Sequence, residues 1–167
     1  SFNGSLAGWT FSSVVIRADA MFYGATSFNQ PLDSWTTTKF TNMRMMFQEA
    51  TAFNQDISGW DVSNVTDMSA MFYNASAFDQ DLGDWDVSSV TNFDDDMFSD
   101  GFLDGSGITT ANYDALLTGW SALTLQSGLT FTAGDVTYSS ASMDARQSMI
   151  DTYGWTINDG GLDAVGV

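Results

Sequence analysis

Apolar side chains recur at fixed places along the first hundred residues. Trp9, Trp35, Trp60 and Trp85 are 25 or 26 residues apart, as are Met21-Phe22, Met46-Phe47, Met71-Phe72 and Met97-Phe98. Phe28-Asn29-Gln30 returns as Phe53-Asn54-Gln55 and as Phe78-Asp79-Gln80, with Phe2-Asn3 a shortened earlier copy. Registers that agree over four copies mark a structural repeat. A unit of this size cannot bury its apolar face alone, so the pattern predicts neighbouring units stacked against one another.

The clearest copy, FNQDISGWDVSNVTDMSAMFYNASA, divides in two. Ile57-x-x-Trp60-x-Val62 has the L-x-x-L-x-L spacing of a strand that buries alternate side chains, so Trp60 and Val62 point inward and Gly59, Asp61 and Ser63 outward. After Val62 the period lengthens. Val65, Met68 and Met71 or Phe72 recur every three or four residues, which predicts a short helix or 3₁₀ turns ending near Asn74, with Ser63, Asn64 and Thr66 available as caps. The expected fold is therefore α/β: a leucine-rich-repeat-like solenoid with one short strand plus one short helix in each 25–26-residue repeat.

Four such units and a Gly/Asp-rich loop, DGFLDGSG, fill residues 1–107. Residues 108–167 depart from the repeat and read as an α/β C-terminal capping segment of the same continuous domain. Thr109 or Thr110 can start a helix carrying Tyr113, Leu116, Leu117 and Trp120, and Leu129-Thr130-Phe131 reads as a strand. Ser139–Ser142 precede a second helix bearing Met143, Arg146, Met149, Ile150 and Tyr153. Gly154 is placed to end that helix, and Trp155-Thr156-Ile157 to form a last strand.

Composition narrows the chemistry. The chain has 167 residues, 44% of them hydrophobic, enough for one well-buried core. Four Lys and Arg stand against 21 Asp and Glu, a net charge of −17 that argues against nucleic acid and anionic membranes as partners. All the acids but Glu49 are aspartates, residues of caps and turns rather than helix interiors. With no His and no Cys, catalytic triads, Cys-His pairs and Cys/His zinc sites are excluded. No apolar run is long enough to span a membrane. The chain begins at Ser1 with no visible signal peptide, so it is expected to be a segment of a longer protein, monomeric as a module.

Three groups of side chains are candidates for function. The tryptophan column could be a sugar-stacking platform, but Trp60 shares its parity with Val62, which favours a buried spine; the Met-Phe pairs are core on the same ground. Asn29, Asn54 and Asp79 are expected to bond the turning backbone. Asp94, Asp95, Asp96, Asp100 and Asp104 form the densest run of carboxylates and are compatible with calcium. The EF-hand pattern fails there, however: with Asp100-Gly101 as its fifth and sixth positions, the third would be Phe98 and the twelfth Gly107. The competing reading is a solvated linker whose acids cap turns. No pair of carboxylates stands out for acid–base hydrolysis, and only Lys39, Arg17, Arg44 and Arg146 could hold an anion. No enzyme is expected and no cofactor is required.

Counting from each Trp gives the third group, a strand face of small polar side chains. Ser34 and Asp84 stand in one column with Gly8 and Gly59. Thr10, Thr36, Asp61 and Asp86 form the next, and Thr38, Ser63 and Ser88 the third, with Ser12. The face grows more acidic toward its C-terminal end. It suits weak, salt-sensitive binding to a basic or hydroxyl-rich partner, strengthened by multivalency, and suits an idle solvated surface equally well.

FNQDISGWDVSNVTDMSAMF resembles the 26-residue repeat of bacterial surface proteins, the BspA-like leucine-rich-repeat family. ANYDALLTGW and ARQSMIDTYGWTINDGG are similar to a C-terminal ending common on such proteins from environmental bacteria. The resemblance covers nearly the whole chain. Repeats one and two depart from it at Val15-Ile16-Arg17 and Thr36-Thr37-Thr38. It implies a secreted or surface-attached, non-enzymatic protein, often a modular adhesin, and carries over no binding residue. The expected function is an extracellular adhesion or protein-binding module within a larger bacterial surface protein, its ligand an extracellular protein or glycan. The alternatives are a carbohydrate- or surface-binding module, or a purely structural spacer or cap. Ice is the weaker surface, because Asp61 and Asp86 interrupt the threonine array it would need.

Overall fold

The computed structural model describes residues 2–6, 8, 9, 11, 16–95, 97 and 100–163. Its first two strands are very short: β1 (Ile16–Arg17) pairs in parallel with β2 (Phe40–Asn42). Isolated parallel bridges continue the line from Asn42 to Asp67 and from Asp67 to Asn92. Between these points most of the chain runs in turns, and the hydrogen bonds show why. The amides of Met46, Gln48 and Ala50 each close a turn on the carbonyl three residues back. Those of Met45, Phe47 and Glu49 instead cross to the carbonyls of Ser69, Met71 and Tyr73 at 2.8–2.9 Å. Local and crossing bonds alternate, so nearly every buried amide is paired without a helix or a continuous ladder.

That alternation depends on left-handed residues. Ala20, Met45 and Ala70 have φ of 55°, 56° and 54°, and Gly24, Glu49 and Asn74 have 64°, 59° and 57°. A left-handed residue turns the chain out of the right-handed helix, and five of these six carry a side chain that makes the conformation costly.

The leucine-rich-repeat-like solenoid of strand-plus-helix units is therefore corrected. Among the described residues of 1–107 there is no helix. The apolar spacing from Val65 to Phe72 is met by consecutive turns interrupted at Ala70 and Asn74. The Ile57–Val62 segment is no strand either, because Trp60 N–H bonds back to the Ile57 carbonyl and Val65 N–H to that of Val62. The described residues form a small compact α/β domain, with two helices and four short strands in two two-stranded sheets among them.

The sequence repeat is expressed in side-chain contacts rather than in helices. Phe22, Phe47 and Phe72 stack at 5.2 and 5.7 Å, Phe28, Phe53 and Phe78 at 6.0 and 6.1 Å, and Trp35 on Trp60 at 6.1 Å. Trp60 Nε1 donates to the Leu32 carbonyl and Trp85 Nε1 to that of Ile57, both at 3.1 Å. Trp35, Trp60 and Trp85 are buried, whereas Trp9 is 53% exposed and stacks on Trp35 at the N-terminal end. The tryptophans are thus a spine and not a sugar platform. The Phe-Asn-Gln signature has an equally structural cause. Asn29 Oδ1 accepts from Asn54 N–H and Gln55 Nε2, and Asn54 Oδ1 accepts from Asp79 N–H and Gln80 Nε2. Asp79 ends the ladder by accepting from Thr109 and Asn112.

Thr109 caps α1 (Thr110–Ser121), which buries Tyr113, Leu116, Leu117 and Trp120. The helix sits so close to the Leu82–Asp84 turn that a Cβ on Gly119 would stand 2.0 Å from the Gly83 carbonyl oxygen, and Trp120 Nε1 reaches the Leu82 carbonyl at 2.9 Å. The strand β3 (Thr130–Thr132), the helix α2 (Met143–Tyr153) and the parallel strand β4 (Thr156–Asn158) follow. Gly154, left-handed at φ 68°, ends α2 with its amide on the Ile150 carbonyl. Phe93, Phe102, Trp120, Phe131 and Trp155 form one aromatic cluster across residues 107 and 108. Arg146 ties α2 to the segment after β4 through two bonds to Asp159. Burial alone would lower its pKa, but Asp159 reverses that and raises it.

Candidate functional site

The polar columns beside the tryptophans are solvent-facing, though they stand on turns and not on a strand. Ser34, Thr36, Thr38, Asp61, Asp84 and Asp86 are exposed, and Ser63 and Ser88 half-buried. Thr10 and Ser12 lie outside the described residues. Several of these groups already hold the backbone. Asp61 Oδ1 accepts from Ser63 N–H and Oγ at 3.1 and 2.6 Å, and Asp86 Oδ1 accepts from Ser88 N–H at 3.1 Å. The Ser63 hydroxyl, then its amide, holds the Asp61 pKa below the ordinary carboxylate value, and Ser58 does the same to Asp56. These aspartates therefore cap turns and still present charge to solvent.

The carboxylate run between Asp94 and Asp104 is dispersed. Asp94 accepts from Thr132 N–H at 2.9 Å and Thr132 Oγ1 at 2.6 Å, and so ties the last repeat to β3. Asp95 is buried and paired with Arg44, while Asp100 accepts from Gln48 Nε2 at 3.0 Å. Asp104 contributes its backbone carbonyl to Asn74 N–H. Asp96 lies outside the described residues. Among the described residues no three acids come together as a group that could hold a metal ion.

A groove that the sequence did not suggest lies one residue beyond the Phe22–Phe47–Phe72 column. It has a volume of about 500 Å³ and is lined by Tyr23, Gln48, Glu49, Tyr73, Asn74 and Asp100, together with Met45. Tyr23, Gln48 and Tyr73 occupy the same place in successive repeats, so the glutamine interrupts a tyrosine column. Its side chain is buried at 4% exposure. The Asp100 carboxylate can only accept, which fixes the amide NH₂ toward it and leaves Gln48 Oε1 with no partner among the described residues. The charge of Asp100, then burial, raises the Tyr73 pKa, so that hydroxyl stays protonated at neutral pH. The signal for this groove was present in the sequence as Met-Phe-Tyr, Met-Phe-Gln, Met-Phe-Tyr at 21–23, 46–48 and 71–73.

Among the described residues no helix is long and apolar enough to cross a membrane. No curated protein and no solved structure matches the chain. The family described as "Mycoplasma protein of unknown function, DUF285" matches residues 1–104, a span that takes in all four copies of the Trp and Met-Phe registers. That match covers well over half of the molecule, and the chain belongs to the DUF285 family.

Proposed function

We propose that the protein is a non-enzymatic adhesion module, displayed outside a bacterial cell within a larger surface protein, that binds a basic protein partner through its exposed acidic rows. The observation that carries this reading is the placement of Asp61, Asp84 and Asp86. All three are exposed at equivalent or adjacent places in successive repeats, with Ser34, Thr36 and Thr38 as small neighbours that let a partner approach. The rows sit on a scaffold pinned by aromatic stacking and the Asn-Gln ladder, so the charges stand at fixed spacing. The likeness of the repeat unit to BspA-like surface proteins supports the extracellular setting. Binding through such a face buries little apolar area. It is weak per module, salt-sensitive and strengthened by display of many copies.

The test uses beads that display the chain, presented to basic and to acidic proteins immobilised at equal density, from about 0.05 to 0.5 M salt. Asp61→Asn, Asp84→Asn and Asp86→Asn are combined; asparagine keeps an oxygen for the caps and removes three charges. Attachment to the basic surfaces is expected to fall with salt and with the triple variant. Attachment that is unchanged by both would overturn the proposal.

A further inference from the structure

We infer that the groove between Tyr23 and Tyr73 is a carbohydrate site that takes one neutral pyranose ring in the place where Gln48 interrupts the tyrosine column. The neighbouring column shows what this position does when it is complete: Phe22, Phe47 and Phe72 stack at 5.2 and 5.7 Å, one ring per repeat. One residue further along, Tyr23 and Tyr73 line the groove, and the residue between them in repeat order is not a ring but Gln48, which lines it too and is buried. With crossing amides spaced like a sheet, the two tyrosine positions are about 10 Å apart, and a flat ring between them would have an aromatic neighbour at stacking distance on each side.

The polar groups of the groove select what that ring carries. Among the described residues Gln48 Oε1 is a buried acceptor without a donor, a condition native interiors rarely leave standing. Glu49 and Asp100 add carboxylates and Asn74 an amide. A sugar offers the complement, an apolar ring face for the tyrosines and hydroxyl donors for the acceptors. The two carboxylates, on a chain of net charge −17, disfavour uronic, sialic and sulfated sugars. A lysine side chain would answer the carboxylates but would leave the space between the rings unfilled. This site is separate from the acidic rows beside the tryptophans and does not depend on them.

The experiment is an NMR titration of the chain, labelled at its tyrosines, with methyl glycosides of glucose, galactose, mannose and N-acetylglucosamine, and in parallel with glucuronate and an oligolysine peptide. At least one neutral glycoside is expected to shift the Tyr23 and Tyr73 ring signals with a Kd near 1 mM, the range open to a ligand of about a dozen heavy atoms, and glucuronate to bind more weakly. Tyr23→Ala removes a ring that is half exposed, and should weaken binding about threefold to tenfold. Gln48→Met conserves volume and deletes the acceptor. It also removes the Nε2 bond to Asp100, so some stability is lost with it; binding should weaken while circular dichroism and a cooperative urea transition show the fold retained, which separates a lost contact from a lost fold. Failure of every neutral glycoside to move the two tyrosines would overturn the proposal, as would equal binding by Tyr23→Ala. A response to oligolysine alone would make the groove a cation site and overturn it too.

Discussion

Trp35 and Trp60 offer a controlled comparison of what the indole N–H does in this core. Both rings are 5% exposed, and they stack on each other at 6.1 Å and 2°. Trp35 also stacks on Trp9 and meets Phe11 and Phe40 edge-on, but the indole N–H sets the two apart: Trp60 Nε1 donates to the Leu32 carbonyl, whereas Trp35 Nε1 is buried without a partner among the described residues. Replacing either by phenylalanine removes the same atoms from a packed column. That shared loss costs about 1–2 kcal/mol, in line with modest large-to-small changes. Trp60→Phe also removes a hydrogen bond. The Leu32 carbonyl keeps the Trp35 amide at 3.1 Å, so the added cost is that of an ordinary bond, about 1 kcal/mol. Trp35→Phe instead deletes an orphaned donor whose burial is worth about 1–3 kcal/mol against folding. The expected result is a Trp60→Phe variant less stable than the parent by about 2–3 kcal/mol and a Trp35→Phe variant within about 1 kcal/mol of it.

Urea unfolding followed by circular dichroism measures both, with equal m-values required before the midpoints are compared. Equal losses in the two variants would refute the reasoning, because they would mean that the Trp35 N–H is satisfied in solution. As a companion, Trp60→Ala empties the column and should cost about 3–5 kcal/mol; a loss of only a few tenths would place the indole outside the core.

Helix propensity favours Gly119→Ala, yet its Cβ would stand 2.0 Å from the Gly83 oxygen, so thermal unfolding should show a net loss of about 2 kcal/mol or more. Asn54→Ala deprives Asp79 N–H of its acceptor and leaves Gln80 Nε2 only the residue-54 carbonyl at 3.3 Å, so urea unfolding should show a loss of about 1–2 kcal/mol, whereas a cost near zero would show that the ladder is incidental. Glu49→Gly relieves a left-handed side chain at φ 59°, where the preceding repeat has Gly24, and should raise stability by up to about 1 kcal/mol; a clear loss would mean that the side chain has a role of its own. Asp56 and Asp61 have folded pKa values below the ordinary 3.8, so the stability they contribute is present above that value and is lost as pH falls through the lower folded ones. Asp56→Asn with Asp61→Asn should therefore flatten the acid limb of the stability curve, and an unchanged limb would count against the serine caps.

Much of the C-terminal third could be read from the sequence because its signals are local. Thr109 and Gly154 mark a start and a stop, and the apolar positions of α1 and α2 have no competing explanation. The repeats misled for a physical reason. Apolar residues three or four apart line one side of a helix, but they also line one side of a run of turns, and periodicity alone does not separate the two. What decides is the backbone at 20, 45 and 70 and at 24, 49 and 74. Ala, Met and Glu in those places conceal the left-handed conformation that Gly24 and Asn74 betray. Placing Gly24, Glu49 and Asn74 in one register would have argued against a helix there.

The same registers bear on where function can lie. A position that repeats is held by its neighbours one repeat away, as Trp60 is by Leu32 and Asn54 by Asp79, so its identity reports folding. A position that breaks its column is released from that constraint, or spends stability for another purpose. Gln48 is such a break: the tyrosines of the adjacent repeats show that a larger ring is accommodated in the column, yet the chain buries an amide there and leaves its oxygen unpaired. Asp61 and Asp86 are the opposite case: each caps its own turn, which accounts for the aspartate in these two repeats, and its charge remains available to a partner. The two sites therefore differ in how they should respond to substitution. Neutralising the acidic rows should alter attachment in proportion to charge and salt. Restoring the ring with Gln48→Tyr should close the groove, abolish sugar shifts at Tyr23 and Tyr73, and leave attachment to basic surfaces unaltered. Should Gln48→Tyr weaken attachment as strongly as charge removal does, the groove and the acidic rows would be one site, and their separation would be wrong.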